Sequence, residues 1–281
     1  MRIGNRLAAA LCALAALAPG ALWADTLGRL AAGEPLRIGV RADTRPLSFV
    51  VDGAARGYTV ALCERVAEAL AAPVGRPVAV AHVVVTAENR FDALAEGRID
   101  MLCGAASITL SRRERVAFSI PVYVDGAVAM VRRDAAVDLT GLSGRRVGVR
   151  AGTTTERGLR ATLERDRVAA EVVTFADHGE GLDGLLAGEL AAYFADQSIA
   201  AFMIGASPRG GELAIIDQLL TIEQQAIGLP RGDEAFRAEV DRALSRMYRS
   251  GEVERLFAEN FAPASMGDLM AALVLLAPLP D

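Results

Sequence analysis

The chain has 281 residues, with 30 basic residues against 35 acidic ones and a formal charge of −5. That balance leaves no basic field for nucleic acid, and the length exceeds what one small core serves, so two units of ordinary domain size are expected. Every one of those cations is arginine in an alanine-rich chain, so an isolated arginine reads as surface unless its neighbours say otherwise.

Arg2 and Arg6 precede an apolar stretch from Leu7 to Leu22, and Ala21, Leu22, Trp23 and Ala24 come before the first acid, Asp25. This reads as a secretory signal peptide over residues 1–24, with an apolar run shorter than the roughly 20 residues of a spanning helix. Cys12 follows Leu11 rather than a small residue, which speaks against a lipid anchor. Losing Arg2 and Arg6 with the leader takes the charge from −5 to −7, and a soluble exported protein is expected. Cys63 and Cys103 remain, in a compartment that permits disulfides. A bridge between them and a pair of buried thiols are both open.

After the leader, "PLRIGVR" reads as a buried strand and "YTVALCERVAEALAA" has the apolar spacing of three and four that marks a helix. "PVAVAHVVV" is a strand, "NRFDALAEG" a short helix ended by Gly97, and "RIDMLCG" a strand. The alternation resumes with the extended "GAVAMVRRD", the strand, turn and helix of "RRVGVRAGTTTERGLRATL", and then "EVVTF", "GLDGLLAGE", "LAAYFAD" and "QSIAAFMIG". "EQQAIGLPRGD" is a strand ending in a turn, followed by amphipathic helices at "EAFRAEVDRALSRMYRSG" and "EVERLFAENF". Strands alternating with helices imply an α/β fold of βαβ units in two modules, which bind ligands at the carboxyl ends of their strands. The apolar tail "MAALVLLAPLP" is too short to span a bilayer and is expected to pack against one module.

In "GAASITLSRRE", Gly104 and Ala105 let a ligand approach the backbone, Ser107 and Thr109 supply hydroxyls, and Arg112 can close a fork on a carboxylate. A helix opening near Leu110 or Ser111 would favour an anion there. The plainer alternative is a capping hydroxyl beside two solvated arginines. "VRAGTTTERG" repeats the device with Thr153, Thr154 and Thr155, although Thr153 and Glu156 also make a capping box. Asp196 ends "AAYFAD", where it can hold an ammonium or cap the next helix. Two anion-friendly turns and one acid point to an amino-acid zwitterion.

These stretches, with "RIGVRADTRPLSF", "VTAENR", "ADHGEGLDGLLAGELAAYFAD" and "YRSGEVERLFAENFAP", resemble the periplasmic amino-acid-binding proteins of ABC importers, solute-binding protein family 3. Within it they are most similar to the glutamate/aspartate-binding subgroup. The resemblance implies a two-lobed periplasmic-binding-protein fold of type II. Each lobe would be a mixed, mostly parallel sheet flanked by helices, and two extended hinge crossings would join them. Residues 25–128 plus 229–281 would form lobe 1, and 129–228 lobe 2. It also implies that Arg112 takes the ligand α-carboxylate with Ser107 and Thr153 or Thr154, and that Asp196 takes the α-ammonium. Arg41 and Arg90 would face the ligand side chain, and His178 would line the site. Three arginines against one aspartate leave a positive excess that suits an acidic ligand.

The chain departs from the subgroup at Thr44 and Leu47, where relatives offer an aromatic ring, and at Ala87 and Ala105, where hydroxyls are usual. The implied protein is a periplasmic monomer that delivers an amino acid to a membrane permease, with no catalytic residue, metal or cofactor. The rivals are a dehydratase of cyclohexadienyl acids, for which Glu88, Asp196 and His178 are the candidate acids, and a sensory module.

Overall fold

The computed structural model describes residues 25–135, 138–216 and 218–280; the leader expected over 1–24 lies outside them. Helix α1 (Thr26–Ala31) and strand β1 (Leu36–Val40) lead into a small antiparallel sheet of β2 (Asp43–Thr44), β3 (Ser48–Val51) and β4 (Ala54–Arg56). Then come α2 (Tyr58–Ala69), α3 (Ala71–Val74), β5 (Val80–Val84), α4 (Arg90–Ala95), β6 (Met101–Cys103), α5 (Leu110–Arg113) and the long β7 (Ala117–Asp125). The next unit holds β8 (Ala127–Arg132), β9 (Arg146–Arg150), α6 (Thr154–Arg165), β10 (Glu171–Phe175), α7 (His178–Leu186), β11 (Ala192–Asp196), α8 (Gln197–Ala206) and β12 (Leu213–Ile215). Strand β13 (Glu223–Leu229) and helices α9 (Glu234–Arg249), α10 (Glu252–Phe261) and α11 (Asp268–Leu276) complete the chain.

Two five-stranded mixed sheets form the two lobes, in the orders β5-β1-β6-β13-β7 and β10-β9-β11-β8-β12. In each, a largely buried strand lies between two parallel neighbours, β1 between β5 and β6, and β9 between β10 and β11. Two antiparallel strands extend the sheet beyond them. Strands covered on both faces read as continuous apolar runs rather than alternating ones, which is why "LRIGV" and "RVGV" bury Leu36, Ile38, Val40, Val147 and Val149 completely.

The lobes are joined where β7 passes into β8 through Gly126 alone and where the chain returns ahead of β13. A Cβ on Gly126 would stand 2.3 Å from the carbonyl oxygen of Thr221, so the two crossings press together and only a glycine fits. Strand β13 pairs with β7 from Glu223 to Leu229. Its whole length therefore belongs to the first sheet, and the return comes before residue 223 rather than at the expected 228/229 boundary. Its apolar run, Ala226 to Leu229, is buried against β6 and β7, and that burial decides its sheet.

Helix α2 turns Tyr58, Leu62, Cys63 and Val66 onto the first core, where Cys63 is bonded to Cys103 at the end of β6, with Cα atoms 6.4 Å apart. The bridge ties a core helix to the strand that ends at the Gly104–Ser107 turn. It closes a loop with a sequence separation of 40, for which the chain-entropy argument gives about 4 kcal/mol. Urea unfolding of the Cys63→Ser/Cys103→Ser variant is expected to show a loss of that size. Helix α11 buries Met270 and Leu273 against the same core, as expected of the apolar tail. Among the described residues no helix is long and apolar enough to cross a membrane.

Candidate functional site

The carboxyl ends of β1 and β9 face each other across a narrow cleft with about 20 Å³ of free space. Of the residues singled out in the sequence, Arg41, Arg90, Ser107, Thr153, Thr154, His178 and Asp196 line it. Thr109 and Arg112 are not among its lining residues. The Thr109 hydroxyl accepts the Arg112 backbone N–H at 3.2 Å and caps α5. That helix is a single turn, which cannot serve as the anion-favouring helix start expected from the sequence. Arg112 itself is buried, not solvated, and donates from Nη1 to the Ser107 carbonyl at 2.7 Å.

One end of the cleft is basic. Arg41 and Arg90 are each only 2% exposed, and the Nε of each has no hydrogen-bond partner. Arg41 is paired with Asp43 at 2.5 Å. Gly104 makes room for it, because a Cβ there would stand 3.0 Å from the Arg41 Cγ, while Ala105 of the same turn lines the cleft. Arg90 has only carbonyls for company, Ala87 in its own lobe and Gly152 of the other at 3.4 Å. Neither Arg90 nor Arg112 has a carboxylate partner among the described residues. Phe91 lies 4.7 Å from the Arg90 Cζ and 4.6 Å from that of Arg112, a cation–π arrangement that steadies both. Burial, and then the like charges of Arg41, Arg112 and Arg150, hold the Arg90 guanidinium well below its ordinary pKa. Burial and Arg157 bring Arg112 down to about 10.

The other end is acidic. Asp196 occupies the N-cap position of α8, yet its side chain makes no capping bond. Instead it accepts from the Thr155 hydroxyl at 2.8 Å and from the Gln225 amide at 2.9 Å. Burial and the charge of Glu223 raise its pKa. Asp125, at the hinge end of β7, accepts from the Ser198 hydroxyl and from the Gly126 N–H. Burial and Asp196 push it up to about 7.

A carboxyl whose pKa is raised on folding binds a proton in the folded chain that the unfolded chain releases, so stability increases as pH falls through the folded value. The unliganded protein is therefore expected to be more stable at pH 6.5 than at pH 8, by at most about 1.4 kcal/mol per pH unit for each such acid. Asp125→Asn should flatten that rise. Below about pH 6.5 His178 acts in the opposite sense, since burial lowers its pKa to about 4 and only the unfolded chain takes up its proton. Scanning calorimetry in half-unit pH steps checks both limbs.

Hydroxyls from both lobes meet at the cleft wall, where Ser107 and Thr154 lie 3.1 Å apart. Thr153 is committed to structure. Its hydroxyl donates to the Arg150 carbonyl at 2.8 Å and accepts from the Glu156 N–H at 3.1 Å, while the Glu156 carboxylate takes the Gly152 N–H. The expected capping box is thus present one residue out of register, and Thr154 is left as the hydroxyl that faces the cleft. His178 opens α7 and pairs its Nδ1 with the Tyr193 hydroxyl at 3.0 Å. A neutral ring accepting at Nδ1 carries its proton on Nε2.

Sequence reasoning missed Arg150, Asp43 and the pairing role of Glu88. Arg150 lines the cleft and reaches across it to both carboxylates. With them and Asp125 included, the count of three arginines against one aspartate becomes four guanidiniums, Arg41, Arg90, Arg112 and Arg150, against four carboxylates, Asp43, Glu88, Asp125 and Asp196. A signal for Arg150 was present. The string "GVRA" occurs at residues 39–42 and again at 148–151, on the equivalent strands β1 and β9, so a site role for Arg41 carries over to Arg150 by internal symmetry.

Residues 36–263 match the profile of the bacterial extracellular solute-binding proteins, family 3. An L-glutamate/L-aspartate-binding protein of Pseudomonas aeruginosa is 26% identical over 240 residues, covering 84% of this chain and 80% of that protein. The glutamate/glutamine/aspartate/asparagine-binding protein BztA of Rhodobacter capsulatus is 32% identical over 225 residues, 79% of this chain and 66% of its own. Among solved structures, the ancestral amino acid-binding protein AncCDT-1, a precursor of cyclohexadienyl dehydratase, superposes with a TM-score of 0.74 at 25% identity, covering 84% of this chain and 99% of that one.

Proposed function

Because the chain belongs to the bacterial extracellular solute-binding proteins of family 3, we propose that it captures an acidic amino acid, glutamate or aspartate, in the periplasm. It holds the ligand between its lobes and delivers it to the membrane permease of an ABC importer. The observation that carries this reading is the pair of unmatched poles. Among the described residues, Arg90 and Arg112 are buried cations with no carboxylate in hydrogen-bond contact, while Asp196 and Asp125 are buried acids with raised pKa values and no directly bonded cation, Asp196 and Arg112 feeling each other only through space. Buried charge left uncompensated is costly. A ligand with one ammonium and two carboxylates compensates both ends at once. The names of the relatives, glutamate- and aspartate-binding proteins, support the same ligand class.

In this arrangement Arg112 takes the α-carboxylate with Ser107 and Thr154, Asp196 takes the ammonium, and Arg90 takes the side-chain carboxylate. Arg41 is mainly the partner of Asp43, and the His178 Nε2–H lines the cleft. The contacts come from both lobes, so ligand favours the closed form by contacts that the open form lacks. One chain completes the cavity, so a monomer suffices. Titration calorimetry of ligand-stripped protein against glutamate, aspartate, glutamine, asparagine, histidine and arginine tests the reading. Tight binding confined to the two acids is expected. Silence across that panel, with aromatic product formed from prephenate or arogenate, would replace it with the dehydratase.

A further inference from the structure

Arg150 ends β9, Arg41 directly follows β1, and Arg150 is 3% exposed. On its own lobe, Nη1 donates to the carbonyls of Ala151 at 3.2 Å and Phe175 at 3.3 Å. These contacts fix the plane of the guanidinium. The remaining donors cross the cleft. Nε meets Asp43 at 3.1 Å, and both terminal nitrogens meet the Glu88 carboxylate, Nη2 at 3.4 Å. Asp43 also receives Arg41 of its own lobe, so the charges alternate Arg41, Asp43, Arg150, Glu88 along one line. Asp43 follows β1 and Glu88 follows β5, both strands of the first sheet, whereas β9 belongs to the second. Every bond from Arg150 to a carboxylate therefore exists only while the lobes are together, and none involves a ligand. Against the upward push of burial, the bonds from Arg150 and Thr86 draw Glu88 down to about 2, so the clasp stays charged throughout the neutral and mildly acid range.

We propose that Arg150 is a positioning residue for closure: its ion clasp on Asp43 and Glu88 draws the lobes together before ligand arrives and so sets the affinity. The apparent dissociation constant scales inversely with the fraction of protein already competent to bind, so a clasp that favours the closed form tightens binding without touching the ligand. Glu88 is half exposed, at 50%, and that side of the clasp is open to screening by salt. This proposal rests on the lobe closure of the preceding reading, but not on the identity of the ligand.

Small-angle scattering of the unliganded protein tests it directly, on wild type, Glu88→Gln and Arg150→Thr, in about 20 mM and about 0.5 M NaCl. The wild type is expected to be the most compact at low salt and to expand at high salt, while both variants are expanded throughout. Equal radii for all three proteins at both salt concentrations would overturn the proposal. Calorimetry with L-glutamate supplies the second arm. Glu88→Gln should raise Kd about fivefold at low salt, have no effect at high salt, and have none in the Arg150→Thr background. Penalties that simply add would mean that Arg150 and Glu88 act separately, and the clasp would be wrong. Should glutamate not bind at all, the ligand assignment fails while the scattering still decides the clasp. Glu88→Gln alters only a half-exposed side chain and keeps the test open if Arg150→Thr does not fold.

Discussion

Replacing Arg112 with alanine is expected to abolish binding of every amino acid, and replacing Arg90 with alanine to abolish binding of acidic ones only. Truncating one partner of a desolvated, hydrogen-bonded charge pair costs about 2 to 5 kcal/mol, a loss of roughly 30-fold to several thousandfold in Kd. Both guanidiniums are buried, both are steadied by Phe91, and neither hydrogen-bonds a carboxylate among the described residues. What separates them is position. Arg112 donates to the carbonyl of Ser107, whose hydroxyl meets Thr154 at the wall, the place for a group that every amino acid carries. Arg90 lines the cleft beside Gly152 and Arg41, where only the side chain of the ligand can reach.

Glutamate and glutamine differ in the group that would meet Arg90, so their relative affinity isolates it. In calorimetry on wild type and both variants, Arg90→Ala should bring glutamate down toward glutamine, and Arg112→Ala should silence both. If Arg90→Ala weakens the two ligands by the same factor, the side-chain assignment is wrong. Arg41→Ala is expected to discriminate less, because its loss also leaves Asp43 with one cation instead of two.

The parts of this site that could be read from the sequence are those set by local rules. Apolar periodicity located the buried strands and core helices, and the hydroxyl-rich turns "SIT" and "GTTTE" fell where strands meet helix starts because capping demands such residues there. The second lobe boundary was misplaced because β13, an apolar strand, gives no local sign of which sheet it joins; pairing with β7 decides that. Arg150 and Asp43 were passed over for a related reason. In a chain whose every cation is arginine, a charged residue just beyond a strand looks solvated, and only the approach of the other lobe turns it into half of a buried pair. The charge excess inferred from three arginines was accordingly too large. What survives of it is local, at Arg90 and Arg112, and it points to the ligand more sharply than a net count does.

Asp196→Asn is expected to separate function from stability by moving them in opposite directions. The substitution keeps the shape of the side chain and the acceptor for the Thr155 hydroxyl, 2.8 Å away, but removes the only charge that Asp196 offers an ammonium. Binding of every amino acid should weaken by about 2 to 5 kcal/mol. The fold should not suffer. Burial and Glu223 raise the pKa of Asp196, so the folded protein bears a cost for that charge at neutral pH which the unfolded chain does not. Deleting the charge also relieves Asp125, whose own pKa Asp196 helps to raise. Against this, the amide places a donor near Gln225, whose Nε2 now donates to the carboxylate at 2.9 Å. Rotating the Gln225 amide restores the pair by presenting its Oε1, which has no partner as it stands. The melting temperature of the unliganded variant should therefore equal or exceed that of wild type at pH 8, with the advantage shrinking as pH falls and the wild-type acids take up protons. A variant that melts lower yet still binds glutamate would make Asp196 a structural acid and overturn its assignment to the ammonium.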